Sequence, residues 1–224
     1  KKNNKILISS ERLKIYDSNS NANLENFSIS INDSNDIKNS FVISTKIKSN
    51  YDYVFKIIEN FEANIIKIDG LNGIVNGLLT INSKSLNNKQ FLDYNFKGEL
   101  ENFNYSSSDI EEEFPLNLEG FNGNIEFNNK NLLIKGNGFL NQSPSKMELN
   151  IDENNILNLY VNADAKASSF DFLKDFNFIK KGTSILNMHI TKNIYSDNWV
   201  AKIDSNLFAN EVFLDFLDYS KQRN

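Results

Sequence analysis

Residues 114–151 read FPLNLEGFNGNIEFNNKNLLIKGNGFLNQSPSKMELNI, and this run decides the fold class. Ile125 and Phe127 alternate with Asn124, Glu126 and Asn128. Leu132 and Ile134 flank Leu133, and Met147, Leu149 and Ile151 alternate with Lys146, Glu148 and Asn150. A period of two sends successive side chains to opposite faces of a strand. One face is apolar and the other polar, so the run predicts an antiparallel meander wetted on one side. Asn, Gly136, Gly138 and Ser143-Pro144 are the expected breaks.

The same alternation continues toward the C-terminus. Leu157, Leu159 and Val161 form one strand pattern, Leu186, Met188 and Ile190 the next, and Trp199, Ala201 and Ile203 a third. Between them, Ser168 or Ser169 is placed to cap a short helix carrying Phe170, Leu173 and Phe176. Residues 207–216 close the series, and 218–224 read as a polar tail.

Toward the N-terminus, Leu92, Tyr94, Phe96, Gly98 and Leu100 share one parity, whereas Phe103 and Tyr105 sit on the other. That switch predicts a bulge near Glu101 or Asn102. The acidic stretch Asp109, Glu111, Glu112 and Glu113 reads as a solvated loop. Residues 65–68 and 74–81 are further strand patterns. Tyr51, Val54, Phe55, Ile58 and Phe61 instead follow helical spacing, with Ser49 or Asn50 as cap and Asp52 at the positive end of the dipole. This helix is expected as a lid over one end of a sheet, with an ordinary core helix as the rival reading. Strands are predicted at 27–31 and 41–47. Residues 6–8 and 13–16 suggest a hairpin turning at Ser9, Ser10 and Glu11, followed by a polar loop over 17–22. Gly-Leu-Asn-Gly at 70–73 and Gly-Phe-Asn-Gly at 120–123 each look like a strand entry.

Bulk composition narrows the function. The chain has 224 residues with net charge −5, no cysteine and one histidine, His189. An acidic chain lacks the basic footprint of a nucleic-acid binder. One histidine and no cysteine argue against zinc. No Gly-rich loop precedes a helix, GxSxG is absent, and no carboxylate pair stands out. The expectation is no enzyme and no cofactor. No apolar run approaches the ~20 residues of a membrane-spanning helix. The chain begins at Lys1 without a signal peptide, and is expected to be an internal piece of a longer protein. It reads as a single elongated β domain over 1–224, with a possible sub-boundary near 49–64.

The order of features resembles the AsmA-like superfamily, the bacterial envelope proteins of the AsmA, TamB and YhdP type. The resemblance rests on a capped helix, a Gly-x-x-Gly strand entry, serial one-sided strands, a second short helix and the closing segment LFANEVFLDFLDYSK. Asn206 just before that segment, and Leu207, Ala209, Asn210, Val212, Leu214 and Lys221 within it, match the family's recurrent closing line. LEGFNGNIEFNNKNLLIKGNGFL and LNGIVNGLLTI also read like its strand repeats. The resemblance implies a long, twisted antiparallel sheet curled into an open apolar groove, with two short capping helices. It further implies a periplasmic location, an inner-membrane anchor outside this chain, flanking segments of the same protein as neighbours, and phospholipid as cargo moving toward the outer membrane.

On that reading the lipid-binding residues are the inward sets. These are Leu92, Tyr94, Phe96, Leu100, Ile125, Phe127, Met147, Leu149, Ile151, Leu157, Leu159, Val161, Leu186, Met188 and Ile190. Two other readings stand beside it. One is an assembly factor for outer-membrane proteins acting by strand addition at an open edge. The other is a plain β-sandwich binding module whose apolar faces close on each other.

Overall fold

The structure is a computed structural model. It describes residues 4–17, 20–34, 37–59, 70–86, 89–106, 117–166, 179–196, 199–206, 210–214 and 219–221. The chain is mainly β, and its antiparallel strands follow one another in the sheet in sequence order, except that Trp199–Ser205 and Asn210–Leu214 both pair with Ile179–Asn193. In order these are β1 (Asn4–Asp17), β2 (Ser20–Ser34), β3 (Ile37–Asn50), helix α1 (Tyr51–Glu59), β4 (Asn72–Leu86), β5 (Lys89–Ser106) and β6 (Asn117–Asn128). Then follow β7 (Leu132–Leu140), β8 (Ser143–Ile151), β9 (Ile156–Lys166), β10 (Ile179–Asn193), β11 (Trp199–Ser205), β12 (Asn210–Leu214) and β13 (Tyr219–Lys221). The chain packs as two compact units. Unit 1 is Lys1–Glu101 with Asn124–Leu133, and unit 2 is Asn102–Gly123 with Ile134–Asn224.

In unit 1 the register lines up one apolar face. Ile29, Ile43 and Ile81 are cross-strand neighbours, as are Leu24, Ile47 and Gly77. Between those rows a bulge shifts β2 against β3, and Asn26 takes the left-handed conformation there (φ 52°). The bulge lets Leu24 and Ile29, five residues apart, reach the same face. Helix α1 then covers that face. Tyr51, Val54, Phe55 and Ile58 form the predicted stripe and are all buried. Phe55 stacks on Phe127 at 4.9 Å between ring centroids, and Phe96 stacks on Phe127 at 4.9 Å as well. Each fully buried aromatic ring of this kind contributes roughly 1.5–3 kcal/mol. The helix is therefore a core element and not an end lid. Phe61 lies outside the described residues.

Glycine serves close approach here more than turning. A Cβ on Gly98 would lie 2.7 Å from the Gly77 Cα and 2.9 Å from the Phe96 ring. Unit 2 repeats the device: a Cβ on Gly136 would lie 2.7 Å from both the Gly123 Cα and the Phe121 ring. A phenylalanine ring thus covers a facing glycine pair, filling the side-chain gap the glycines leave on the apolar face. Asparagine amides complete the ladder where it is broken. Asn129 accepts from the Tyr94 backbone N–H at 2.8 Å and donates to the Leu92 carbonyl at 2.7 Å, as a strand residue would.

The bulge expected near Glu101 or Asn102 is present. Asn102 is left-handed (φ 53°), and Leu100 and Phe103 are both buried in spite of opposite parity. In unit 2 the backbone N–H of Asn102 donates to Asn122 Oδ1 at 2.9 Å, and Asn104 Oδ1 accepts from the Gly120 N–H at 3.0 Å. These side chains satisfy backbone groups that the bulge takes out of the ladder.

Several expectations are corrected. Residues 6–16 are one continuous strand and not a hairpin, because Ser9, Ser10 and Arg12 stay in register with Ser28, Phe27 and Glu25. The polar loop is shorter than 17–22, since Ala22 is a buried residue of β2. Gly136, Gly138 and Pro144 lie inside strands. The β7–β8 turn is Asn141-Gln142, with positive φ at both positions (47° and 65°), as a tight two-residue hairpin requires. Gly-Phe-Asn-Gly at 120–123 lies within β6 and is not a strand entry. Part of the expected polar tail forms β13, which pairs with β12. Helix α1 covers the middle of unit 1's apolar face, whereas the row Ile81, Ile43, Ile29 and Ile8 runs from buried to 51% exposed at β1; the curl of an open groove is not established. The second helix expected over 168–176, the strand over 65–68 and the acidic loop over 109–113 lie outside the described residues.

Candidate functional site

Six of the expected lipid contacts fall in unit 1. Tyr94, Phe96, Leu100, Ile125 and Phe127 are buried, Phe96 completely (0% exposed), and Leu92 is half-buried. Burial raises the Tyr94 phenol to a pKa of about 12, because the phenolate loses its hydration there. These side chains are occupied by one another and by α1.

Unit 2 differs. Strands β8, β9, β10 and β11 stand in register, so cross-strand rows can be read directly. Met147, Val161, Met188 and Ile203 form one row, and Leu149, Leu159, Ile190 and Ala201 the next. In the first row Met147, Val161 and Met188 are buried, and Leu186 in the row before it is buried too. In the second row all four residues are half-buried, as is Leu157 beside Ile151. Ile151 itself is buried. The apolar face is therefore covered at Met147, Val161 and Met188, partly open at Leu149, Leu159 and Ile190, and covered again at Ile151. The structure extends the row to Ala201 and Ile203, which the strand pattern contained but did not place beside Ile190 and Met188.

The opposite face of the same strands carries a second constellation. Lys146, Asn162, Asn187 and Asp204 form one row, and Glu148, Tyr160, His189 and Lys202 form the next. The Tyr160 and His189 rings stack at 4.2 Å with 13° between planes. Asn162 Nδ2 donates to Asn187 Oδ1 at 2.7 Å, and Lys135 pairs with Glu148 at 3.0 Å. His189 Nε2 lies 3.2 Å from Asn158 Oδ1, which also accepts from the Thr191 hydroxyl at 3.1 Å. The Thr191 hydroxyl also lies 3.2 Å from Nε2, so this nitrogen is anchored on two sides. Lys135, Glu148, Tyr160, Asn162, Asn187 and His189 are among the residues lining a shallow depression of about 320 Å³.

No group of metal-ligating residues occurs among the described residues, and no helix among them is long and apolar enough to cross a membrane. The chain matches no family model, no curated protein and no solved structure.

Proposed function

We propose that this chain is a segment of a lipid-carrying protein of the Gram-negative envelope, of the AsmA-like kind, located in the periplasm. In this reading unit 2 takes phospholipid acyl chains on its apolar face, and the part of unit 1 under α1 is scaffold. The observation that carries the proposal is the half-covered row Leu149, Leu159, Ile190 and Ala201, continued by Leu157. Four adjacent apolar side chains left partly open in register make a strip rather than scattered exposure.

The energetics favour such a strip. A two-chain lipid with about thirty methylenes loses on the order of 25 kcal/mol on entering water, at ~0.8 kcal/mol each. Contact with a continuous apolar row removes part of that cost and needs no catalytic residue. A strand of about six residues spans ~20 Å, and a leaflet's hydrocarbon is roughly half of ~30 Å, so the dimensions are compatible. The closed core of unit 1 supports the rival reading, a plain β binding module in which unit 2 is covered in the same way.

Photo-crosslinking separates the two. A benzophenone amino acid at Leu159 is expected to crosslink phospholipid in cells, and at Tyr160, its neighbour on the other face, it is not. Equal labelling at both positions, or none at Leu159, overturns the proposal.

A further inference from the structure

The polar face of unit 2 carries an arrangement that lipid carriage does not use. Tyr160 is 46% exposed, yet it is held upright by stacking on His189. His189 is itself fixed from its far nitrogen by Asn158 and Thr191. The pair therefore offers a rigid aromatic surface at little conformational cost on binding. Asn162 and Asn187 stand beside it in the neighbouring row, bonded to each other through one amide hydrogen and one amide oxygen. That leaves the Asn162 oxygen as an acceptor and the Asn187 nitrogen as a donor. Glu148 and Asp204 are held by Lys135 and Lys202, at 3.0 and 3.8 Å. Lys146 begins the Asn162 row and has no ion pair among the described residues.

We propose that this depression binds one sugar ring of a saccharide, the ring carrying a single acidic group. A sugar ring has an apolar C–H face and a rim of hydroxyls that both donate and accept. Tyr160, backed by His189, meets the face. The Asn162 and Asn187 amides meet the hydroxyls, each hydrogen bond gaining modestly over water. Lys146 meets the acid. Three lysines against two carboxylates leave one excess positive charge in a chain whose net charge is −5. That local sign favours a singly acidic ring over a neutral one, and is too weak for the multiple phosphates of a nucleic-acid strand. The site lies on the opposite face from the proposed acyl strip, so either can fail without the other.

The test is an NMR titration of the whole chain, following the Tyr160 and His189 ring signals. The probes are a galacturonate oligomer, a maltose oligomer and an oligothymidylate. The galacturonate oligomer is expected to shift both rings in the millimolar range and the maltose oligomer several-fold more weakly. Tyr160→Phe should keep the interaction, whereas Tyr160→Ala and Lys146→Ala should each weaken it about tenfold or more. Because Tyr160 and Lys146 are solvent-facing, the thermal melt of each variant should stay close to the parent's. No shift with galacturonate, shifts with oligothymidylate alone, or full binding by folded Tyr160→Ala overturns the proposal.

Discussion

The two units solve the same problem in different ways. Both build a one-sided antiparallel sheet, and both place a phenylalanine ring over a facing glycine pair. In unit 1 α1 covers the middle of the apolar face, where its Phe55 completes a stack with Phe127 and Phe96, while Ile6 and Ile8 on β1 stay more than half exposed. In unit 2 burial falls off along the strands, from Val161 and Met188 to the half-open Leu159 and Ile190. An apolar sheet face is thus no sign of function by itself. What matters is which stretch of the face the chain itself covers, as α1 does around Phe96 and Phe127, and that decides which apolar side chains are free to meet a ligand.

Paired truncations sharpen this contrast most strongly. Phe96→Ala removes a fully buried ring and should cost roughly 3–5 kcal/mol in chemical denaturation. Leu159→Ala removes a half-buried side chain and should cost about 1–2 kcal/mol, near half the usual transfer and cavity loss. Equal losses at the two positions would mean that unit 2 is as closed as unit 1.

The glycine pairs test what the units share. Gly98→Ala and Gly136→Ala each push a methyl group against a facing backbone and a phenylalanine ring. Overpacking of this kind costs ~1–3 kcal/mol. Comparable losses in both variants, read from the denaturation midpoint, are expected. A neutral Gly136→Ala would separate the two devices.

A smaller effect isolates burial in unit 1 through pH. The Tyr94 pKa is raised from 10.0 to about 12 in the folded state by burial. The stabilising difference is therefore intact below pH 10 and is lost as pH rises from 10 through 12. Across that interval the loss amounts to about 3 kcal/mol at most. Tyr94→Phe should flatten the alkaline stability curve across that interval. A curve as steep as the parent's would show Tyr94 to be hydrated.

The smallest expected change lies in unit 2. Gln142 adopts φ 65° in the β7–β8 turn, where glycine has no steric penalty. Gln142→Gly should raise stability by at most ~1 kcal/mol in thermal melts. A loss there would mean that the Gln142 side chain contributes more than its backbone strain costs.

Much of the fold was legible in the alternation. The inward sets of β5, β6, β8, β9 and β10, the α1 stripe and the bulge at Asn102 could all be read from spacing. The turns were harder, because in this Asn- and Ser-rich chain polar residues do two jobs. Ser9, Ser10 and Glu11 look like a turn, yet they sit mid-strand, where Ser9 and Ser10 pair with β2. Gly136 and Gly138 look like breaks, yet they are places where backbone and ring approach closely. The Tyr160–His189 stack needed register as well as pattern. The two residues lie far apart in the chain and meet only because β9 and β10 align Leu159 with Ile190 and Tyr160 with His189. The available signal was a tyrosine and the one histidine, both on the polar parity of adjacent strands. Whether an apolar row is covered is likewise a tertiary property, which is why Phe96 and Leu159 looked alike in sequence.

The most direct test is native mass spectrometry with lipid extraction on the chain purified from a Gram-negative host, comparing the parent with Leu159→Lys and Phe96→Lys. The account predicts co-purifying phospholipid on the parent. It predicts a folded but lipid-free Leu159→Lys protein and an unfolded Phe96→Lys protein. A lipid-free parent, or a Leu159→Lys protein that keeps its lipid, would contradict it.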